Sequence, residues 1–341
     1  LAKGFCVTKR KNRITIEDVA REAGVSTMTV SRVLNNKGEI REETRERILK
    51  IIDELGYRPS RLARSLATNR TYILGVVVPD IVNPFFAQLV TGAETVAWQH
   101  GYHVLLCHTG EDYGREEAVL DLLEDTQVDG VLVCSARLPD EQLLPLLAKQ
   151  DAAVLLNRQV ASELAGMIRV HDVAGAVKAV QHLLHTGHER VGLIAGPAAS
   201  TSARERRRGF IFANETEGRP ENIPLQVESS PTTQGGYQAA ITLLQAYPDL
   251  NGLFCYNDLT AVGALQACTE MGRHVPHDIA LVGCDDIPLA GLISPTLTTL
   301  SVDKEQLGAD AIQLLIDRIQ GRPAVDELLI EQTLVIRESA P

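Results

Sequence analysis

The chain has 341 residues, 45% of them apolar and 23% charged, the composition of a soluble globular protein of two or three domains. No apolar run approaches the roughly 18 residues a membrane helix needs, and the basic opening "LAKGFCVTKRKNR" lacks the apolar centre of a secretory leader, so a cytoplasmic protein with no membrane contact is expected. The net charge of −11 is uneven: residues 1–70 hold 16 Lys and Arg against 9 Asp and Glu while the remainder is strongly acidic, so only the head is expected to meet a polyanion.

Three helices are predicted in the head. "TIEDVAREAG" opens on Thr15 with Asp18 three residues on, a capping box with Asp in place of Glu. Ile16, Val19, Ala20 and Ala23 share one face, and Gly24 can end the helix in the left-handed region. Ser26 then caps a second helix, whose Val30, Val33 and Leu34 face inward. A third helix covers about 42–55, with Ile48, Ile51, Ile52 and Leu55 inside and Gly56 closing it. Two helices joined by a tight glycine turn form a helix-turn-helix pattern. The second helix exposes Thr27, Met28, Thr29, Ser31, Arg32 and Asn35, where an ordinary solvated face would be richer in Glu and Lys. Such a face fits a major groove, where Arg pairs with guanine and small groups meet bases and methyls.

Residues 59–71 leave room for a helix of two turns starting near Pro59, too short to persist alone. From Tyr72 the pattern changes. The runs "YILGVVVP", "HVLLC", "GVLVC", "AVLLN", "RVGLIAG", "GLFCYN" and "IALVGCD" alternate with helical stretches in two sets. Continuous apolar runs between helices indicate parallel sheets buried on both faces. The six cysteines have no metal-like spacing and read mostly as small buried hydrophobes. Neither a G-x-S-x-G nor a P-loop motif is present, so no enzyme is expected. His182, His185 and His188 crowd together in "QHLLHTGHE", with His182 and His185 three residues apart, a spacing that could suit a metal; neither a metal nor a cofactor is expected.

"TIEDVAREAGVSTMTVSRVLN" followed by "ETRERILKIIDELGYRPSRLARSLAT" resembles the head and hinge of LacI/GalR-family transcription regulators. "VVVPDIVNPFFAQLVTGAE", "GHERVGLIAGP", "NDLTAVGALQA", "MGRHVPHDIALVGCDD" and "PTLTTLSVD" carry the resemblance through the body. It implies a small all-α helix-turn-helix head (14–58), a hinge helix (59–71), and an α/β body (72–341) of two doubly wound, periplasmic-binding-protein-like lobes. Lobe 1 would hold about 72–171 and 302–323, and lobe 2 about 172–301 and 324–341. By the resemblance, Thr27, Met28 and Arg32 read bases. Thr29, Ser31, Asn35 and Tyr57, with Thr15, hold phosphates or position the helix. Arg41 stands where the family often has a capping serine, so the third helix should start less cleanly. Leu66 matches the leucine that wedges into a minor-groove step, while Ala67 replaces a lysine found in some relatives.

Ligands of doubly wound sheets bind beyond the carboxyl ends of the strands. The resemblance and that rule together place Asn83, Phe85, Phe86, Asn157, Arg158, Ser200, Ser202, Arg206, Asn257, Asp258 and Asp285 around an effector. Aromatic faces suit a sugar's C–H surface, and Asn, Asp and Arg suit its hydroxyls. Asn157 stands where sugar-binding relatives often carry Asp, and Val302 replaces a glutamine common near the cleft. With Arg158 and Arg206 retained, the charge tilts toward a sugar acid or phosphorylated sugar. The expectation is a homodimeric regulator, repressing carbohydrate-use genes from a pseudo-palindromic DNA operator. No leucine-heptad tail of the tetramer-building kind follows the last strand-like run. A regulator switched by a partner phosphoprotein and a sugar carrier stand as alternatives.

Overall fold

Thr15 starts the first helix as its spacing requires. In a computed structural model, which describes residues 14–34, 38, 40–57, 70–161, 163–323 and 327–341, its backbone N–H donates to Asp18 Oδ2 (3.0 Å) and its hydroxyl accepts from Asp18 N (3.4 Å). Helix α1 spans Ile16–Ala23 and ends at Gly24, whose φ of 63° is the left-handed cap. Helix α2 spans Thr27–Leu34, with Ser26 Oγ accepting from Thr29 N (3.2 Å). Helix α3 spans Glu42–Leu55; Arg41 gives it no side-chain cap, and Gly56 closes it at φ 61°. Val19, Val30, Val33, Ile48 and Tyr57 pack as the core of this unit. The hinge stretch with Pro59, Leu66 and Ala67, together with Cys6 and Asn35, lies outside the described residues.

The chain divides into two compact units, 1–71 and 72–341. The second is built on two six-stranded sheets. In chain order β1 is Ile73–Val78, β2 His103–His108, β3 Gly130–Cys134, β4 Ala153–Leu156, β5 Ala165–Val170, β6 Val191–Ala195, β7 Gln226–Glu228, β8 Gly252–Cys255, β9 Ala280–Asp285, β10 Thr298–Ser301, β11 Glu327–Ile330 and β12 Thr333–Val335. The first sheet runs β11-β5-β4-β3-β1-β2, all parallel. The second runs β12-β10-β9-β8-β6-β7, with only β12 antiparallel. Between them come α4 (Pro84–Gln99), α5 (Tyr113–Asp125), α6 (Asp140–Leu147), α7 (Asp172–His185), α8 (Thr201–Thr216), α9 (Thr233–Ala246), α10 (Asp258–Glu270) and α11 (Lys304–Ile319). β1, β3, β4 and β8 are almost wholly buried, as their unbroken apolar runs require.

The chain passes between the sheets after β5, after β10 and after β11. The last crossing corrects the expected lobe boundary. Residues 324–341 do not all belong to lobe 2: β11 pairs with β5 in the first sheet, Ile330 opposite Val170. Leu328 and Ile330 pack on the first core, and only from β12 does the chain enter the second sheet. The apolar run "LLIEQTLVIRES" carries no glycine or proline to mark that break. Among the described residues no helix is long and apolar enough to cross a membrane. Cys134, Cys255, Cys268 and Cys284 are buried and unbridged; burial pushes the Cys134 thiol up to about 12, so it serves as packing rather than as a nucleophile.

Glycine sets the distance between α4 and α11. A Cβ on Gly308 would stand 1.9 Å from the Leu89 carbonyl oxygen, and one on Gly92 1.9 Å from that of Glu305. Both obstacles are backbone, so the helices themselves must separate. Gly308→Ala is expected to lower stability by about 1–3 kcal/mol or more. At Gly291 a Cβ meets nothing within 4 Å, and alanine there should be nearly neutral. Urea unfolding of the two variants checks the contrast.

Candidate functional site

The carboxyl ends of both sheets open onto a cavity between the lobes. From the first lobe Asn83, Phe85, Phe86, Glu111, Ser135, Arg137 and Asn157 line it; from the second come Ser202, Arg206, Tyr256, Asn257 and Asp285. Its volume is about 30 Å³, room for one or two waters and too little for a sugar ring. A sugar ring between these walls requires the space to be wider than it is in this structure. Beyond it lies a wider chamber of about 750 Å³, and Glu111 and Arg137 belong to the walls of both.

Each wall has a local cause. Asn83 caps α4, its Oδ1 accepting from Phe85 N (3.0 Å). Pro84 then starts the helix and turns Phe85 and Phe86 inward, edge to face at 5.2 Å between ring centroids. Asn157 sits at φ 54°, a left-handed conformation that asparagine tolerates. Its Oδ1 accepts from Val170 N (3.0 Å), which fixes the side chain. Asn257 caps α10 through Thr260 N (2.9 Å) and donates to the Pro231 carbonyl (3.3 Å).

Arg206 holds the second-lobe wall together. Its Nε donates to Asp172 Oδ1 (2.8 Å), another nitrogen bonds the Tyr256 carbonyl, and a third lies 3.8 Å from Asp285 Oδ1. Its guanidinium also lies 5.0 Å from the Tyr256 ring centroid. Burial pushes the Asp285 carboxyl up to about 7 against the pull of Arg206. Asp285 and Asp286 both have positive φ, 117° and 52°. Lys304, from the first-lobe helix α11, donates to their carbonyls at 2.7 and 3.0 Å and so braces this strained turn across the lobes.

In the head, α2 turns Val30 and Val33 inward and leaves Thr27, Met28 and Arg32 exposed, Met28 at 63%. Thr29 and Ser31 are half-buried beside them. Tyr57 packs in the head core instead of on this face. Thr15 is engaged with Asp18.

The matches to known proteins agree with both halves of this picture. A family model for bacterial regulatory proteins of the lacI family matches residues 15–60, and one for a periplasmic binding protein-like domain matches 180–340. A ribose operon repressor of Halalkalibacterium halodurans is 37% identical over 95% of this chain and 96% of its own. The transcriptional repressor PurR of Photobacterium profundum is 34% identical over 95% and 98%. Among solved structures, the lac repressor dimer bound to operator and the anti-inducer ONPF matches 96% of this chain and 99% of its own, with a TM-score of 0.86 and 28% identity.

The chain belongs to the LacI family. It is accordingly a DNA-binding transcriptional regulator.

Within this LacI-family fold, three expected effector residues stand off the inner cavity. Asp258 is fully buried beneath it, accepting from Ile287 N (2.8 Å) and Thr299 Oγ1 (2.5 Å). It braces the loop after β9, and burial holds its carboxyl well above the usual range. Ser200 caps α8 and bonds the Tyr256 hydroxyl (3.1 Å), one layer behind the wall. Arg158 turns away, donating to the Leu138 carbonyl (3.0 Å) and to Asp140 Oδ1 (2.5 Å). Val302 packs into the first-lobe core.

Arg137, Glu111 and Tyr256 were missed. Arg137 Nε donates to Glu111 Oε2 (2.5 Å), and both lie just past strand ends, β3 and β2. The same strand-end rule that selected Asn157 would have selected them. With Arg206 facing Asp172 and Asp285, and Arg137 paired to Glu111, both arginines of the inner cavity already have carboxylate partners. The tilt toward an acid drawn from Arg158 and Arg206 does not hold there, because Arg158 is elsewhere. The histidines are engaged separately: His182 with the Ala340 carbonyl, His185 with Glu217, and His188 with Thr186.

Proposed function

We propose that this LacI-family protein is a cytoplasmic homodimeric repressor of carbohydrate-use genes, released from or held on a pseudo-palindromic operator by a sugar bound between the lobes. The observation that carries the reading is the cavity lined from both lobes by a phenylalanine pair, amides and ion-paired polar groups. Aromatic faces suit the sugar ring, and Asn83, Asn157, Arg206, Asn257 and Asp285 suit its hydroxyls. Relatives named as a ribose operon repressor and a lac repressor dimer on operator support the same class of role. In the head, Thr27, Met28 and Arg32 read base edges, while Thr29 and Ser31, with Asn35, steady the helix on phosphates. Thr15 and Tyr57 serve by fixing the head's shape. Leu66 wedges the minor groove at the centre of the site.

Two-fold symmetry of the dimer demands an inverted repeat. Selection from random duplexes with the full chain should therefore enrich one; no enrichment would sink the DNA half of the reading. A sugar that raises the melting temperature in a screen should change operator affinity. The operator should change affinity for that sugar by the same factor, because linkage is reciprocal. A sugar that binds tightly and leaves operator affinity unchanged would refute the switch.

A further inference from the structure

Arg158 has left the inner cavity, but its new place is informative. It lies on an opening of about 490 Å³ at the ends of β3 and β4 and the start of α8, whose lining includes Arg137, Arg158 and Gln159 from lobe 1, Arg204 from lobe 2, and Asp140 and Glu141. The Arg158 side chain is only 8% exposed, and its Nε has no hydrogen-bond partner among the described residues. The rest of the guanidinium contributes to the lining of the opening, where a ligand oxygen can meet it.

Arg204 faces it from the other lobe. It donates to the carbonyls of Ala198 and Ala199 (both 2.9 Å) and to Thr201 Oγ1 (3.0 Å). It forms no ion pair among the described residues. Burial, and then the charge of Arg158, hold its guanidinium below its ordinary range. Arg158 and Arg204 thus bring two guanidiniums to one opening from opposite lobes. Helix α6 begins at the same opening with Pro139 as its cap, which supplies no side-chain acceptor for the first-turn N–H groups. Such an end favours negative charge. Asp140 is already matched by Arg158, which leaves Glu141 as the opposing carboxylate.

We propose that this outer opening binds an oxyanion, a phosphate or carboxylate group, between Arg158 and Arg204, and that the bound anion ties the two lobes together. Planar guanidinium groups match such oxygens in pairs, and an anion between them attracts a cation on each lobe. The proposal deepens the effector reading and rests on it: the sugar part occupies the inner cavity, and the acid group reaches the mouth.

The test is calorimetry on the full chain at constant ionic strength, first with inorganic phosphate. Wild-type protein should bind phosphate at millimolar concentration. Arg204→Gln and Arg158→Gln should each weaken that binding about tenfold or more, the effect of losing one charge-assisted hydrogen bond. Arg204 is a surface residue, so its variant should keep the wild-type melting temperature. Absence of phosphate binding, or unchanged affinity in both variants, overturns the proposal. A second arm compares ribose 5-phosphate with ribose plus inorganic phosphate. Tighter binding of the ester, lost in Arg204→Gln, supports an acid group carried by the effector; equal binding with phosphate affinity still dependent on Arg204 supports a separate phosphate ion. Failure of the effector reading itself would appear elsewhere, as sugar binding that survives Arg206→Ala while phosphate binding still requires Arg204.

Discussion

Arg206→Ala is expected to remove the effector response and to destabilise the body by about 3–5 kcal/mol, the usual cost of breaking a buried ion pair by deleting one partner. The side chains of Arg206 and Asp172 are 8% and 2% exposed, and Asp285 lies 3.8 Å away. Alanine would leave two buried carboxylates without their cation and the Tyr256 carbonyl without its donor. A loss of that size is a large share of a typical folding free energy. Urea unfolding measures the stability term, and sugar titration measures the binding term. The two are separable. Arg206→Met combined with Asp172→Asn removes both charges of the tightest pair and should recover much of the stability without recovering sugar binding. A single alanine variant within about 1 kcal/mol of wild type, binding sugar normally, would refute the role given to Arg206.

Arg32→Ala is expected to cost about 1–3 kcal/mol per head at the cognate site. A dimer with two heads then loses about 2–6 kcal/mol, tens-fold to more than a thousand-fold in affinity. The side chain stands exposed on the same face of α2 as Thr27 and Met28, with Val30 and Val33 anchoring the opposite face in the head core. It is therefore free to reach a base edge without disturbing the fold. The preference should relax at one symmetric pair of positions, and affinity for random duplexes should change little. If specific and random DNA lose affinity equally and the salt dependence falls, Arg32 holds a phosphate instead.

The residues of the head carry nearly all of its local structure. Thr15 with Asp18, Gly24, Ser26 and Gly56 set where helices start and stop, and each acts within a few residues of itself. The same is true of β1, β3, β4, β6, β8 and β9, whose apolar runs need only burial to become parallel strands. Asn83, Phe85, Phe86, Asn157, Ser202, Arg206, Asn257 and Asp285 were also legible, because a strand end or a following cap places each of them at the cleft.

What remained depended on contacts between residues far apart in the chain. Asp258 and Asp285 both follow strands, yet one props a loop through Ile287 and Thr299 while the other faces the cavity. Arg158 and Arg137 both follow strands, and the one expected in the cavity is drawn out by Asp140 while the other enters. Arg206 finds Asp172 across 34 positions. β11 joins the first sheet although it runs on into β12 without a break. Patterns of spacing encode periodicity, caps and turns, which are local energies. Which carboxylate neutralises which arginine, and which edge a short strand joins, is settled only when buried charges and unpaired backbone groups compete for partners in the closed fold.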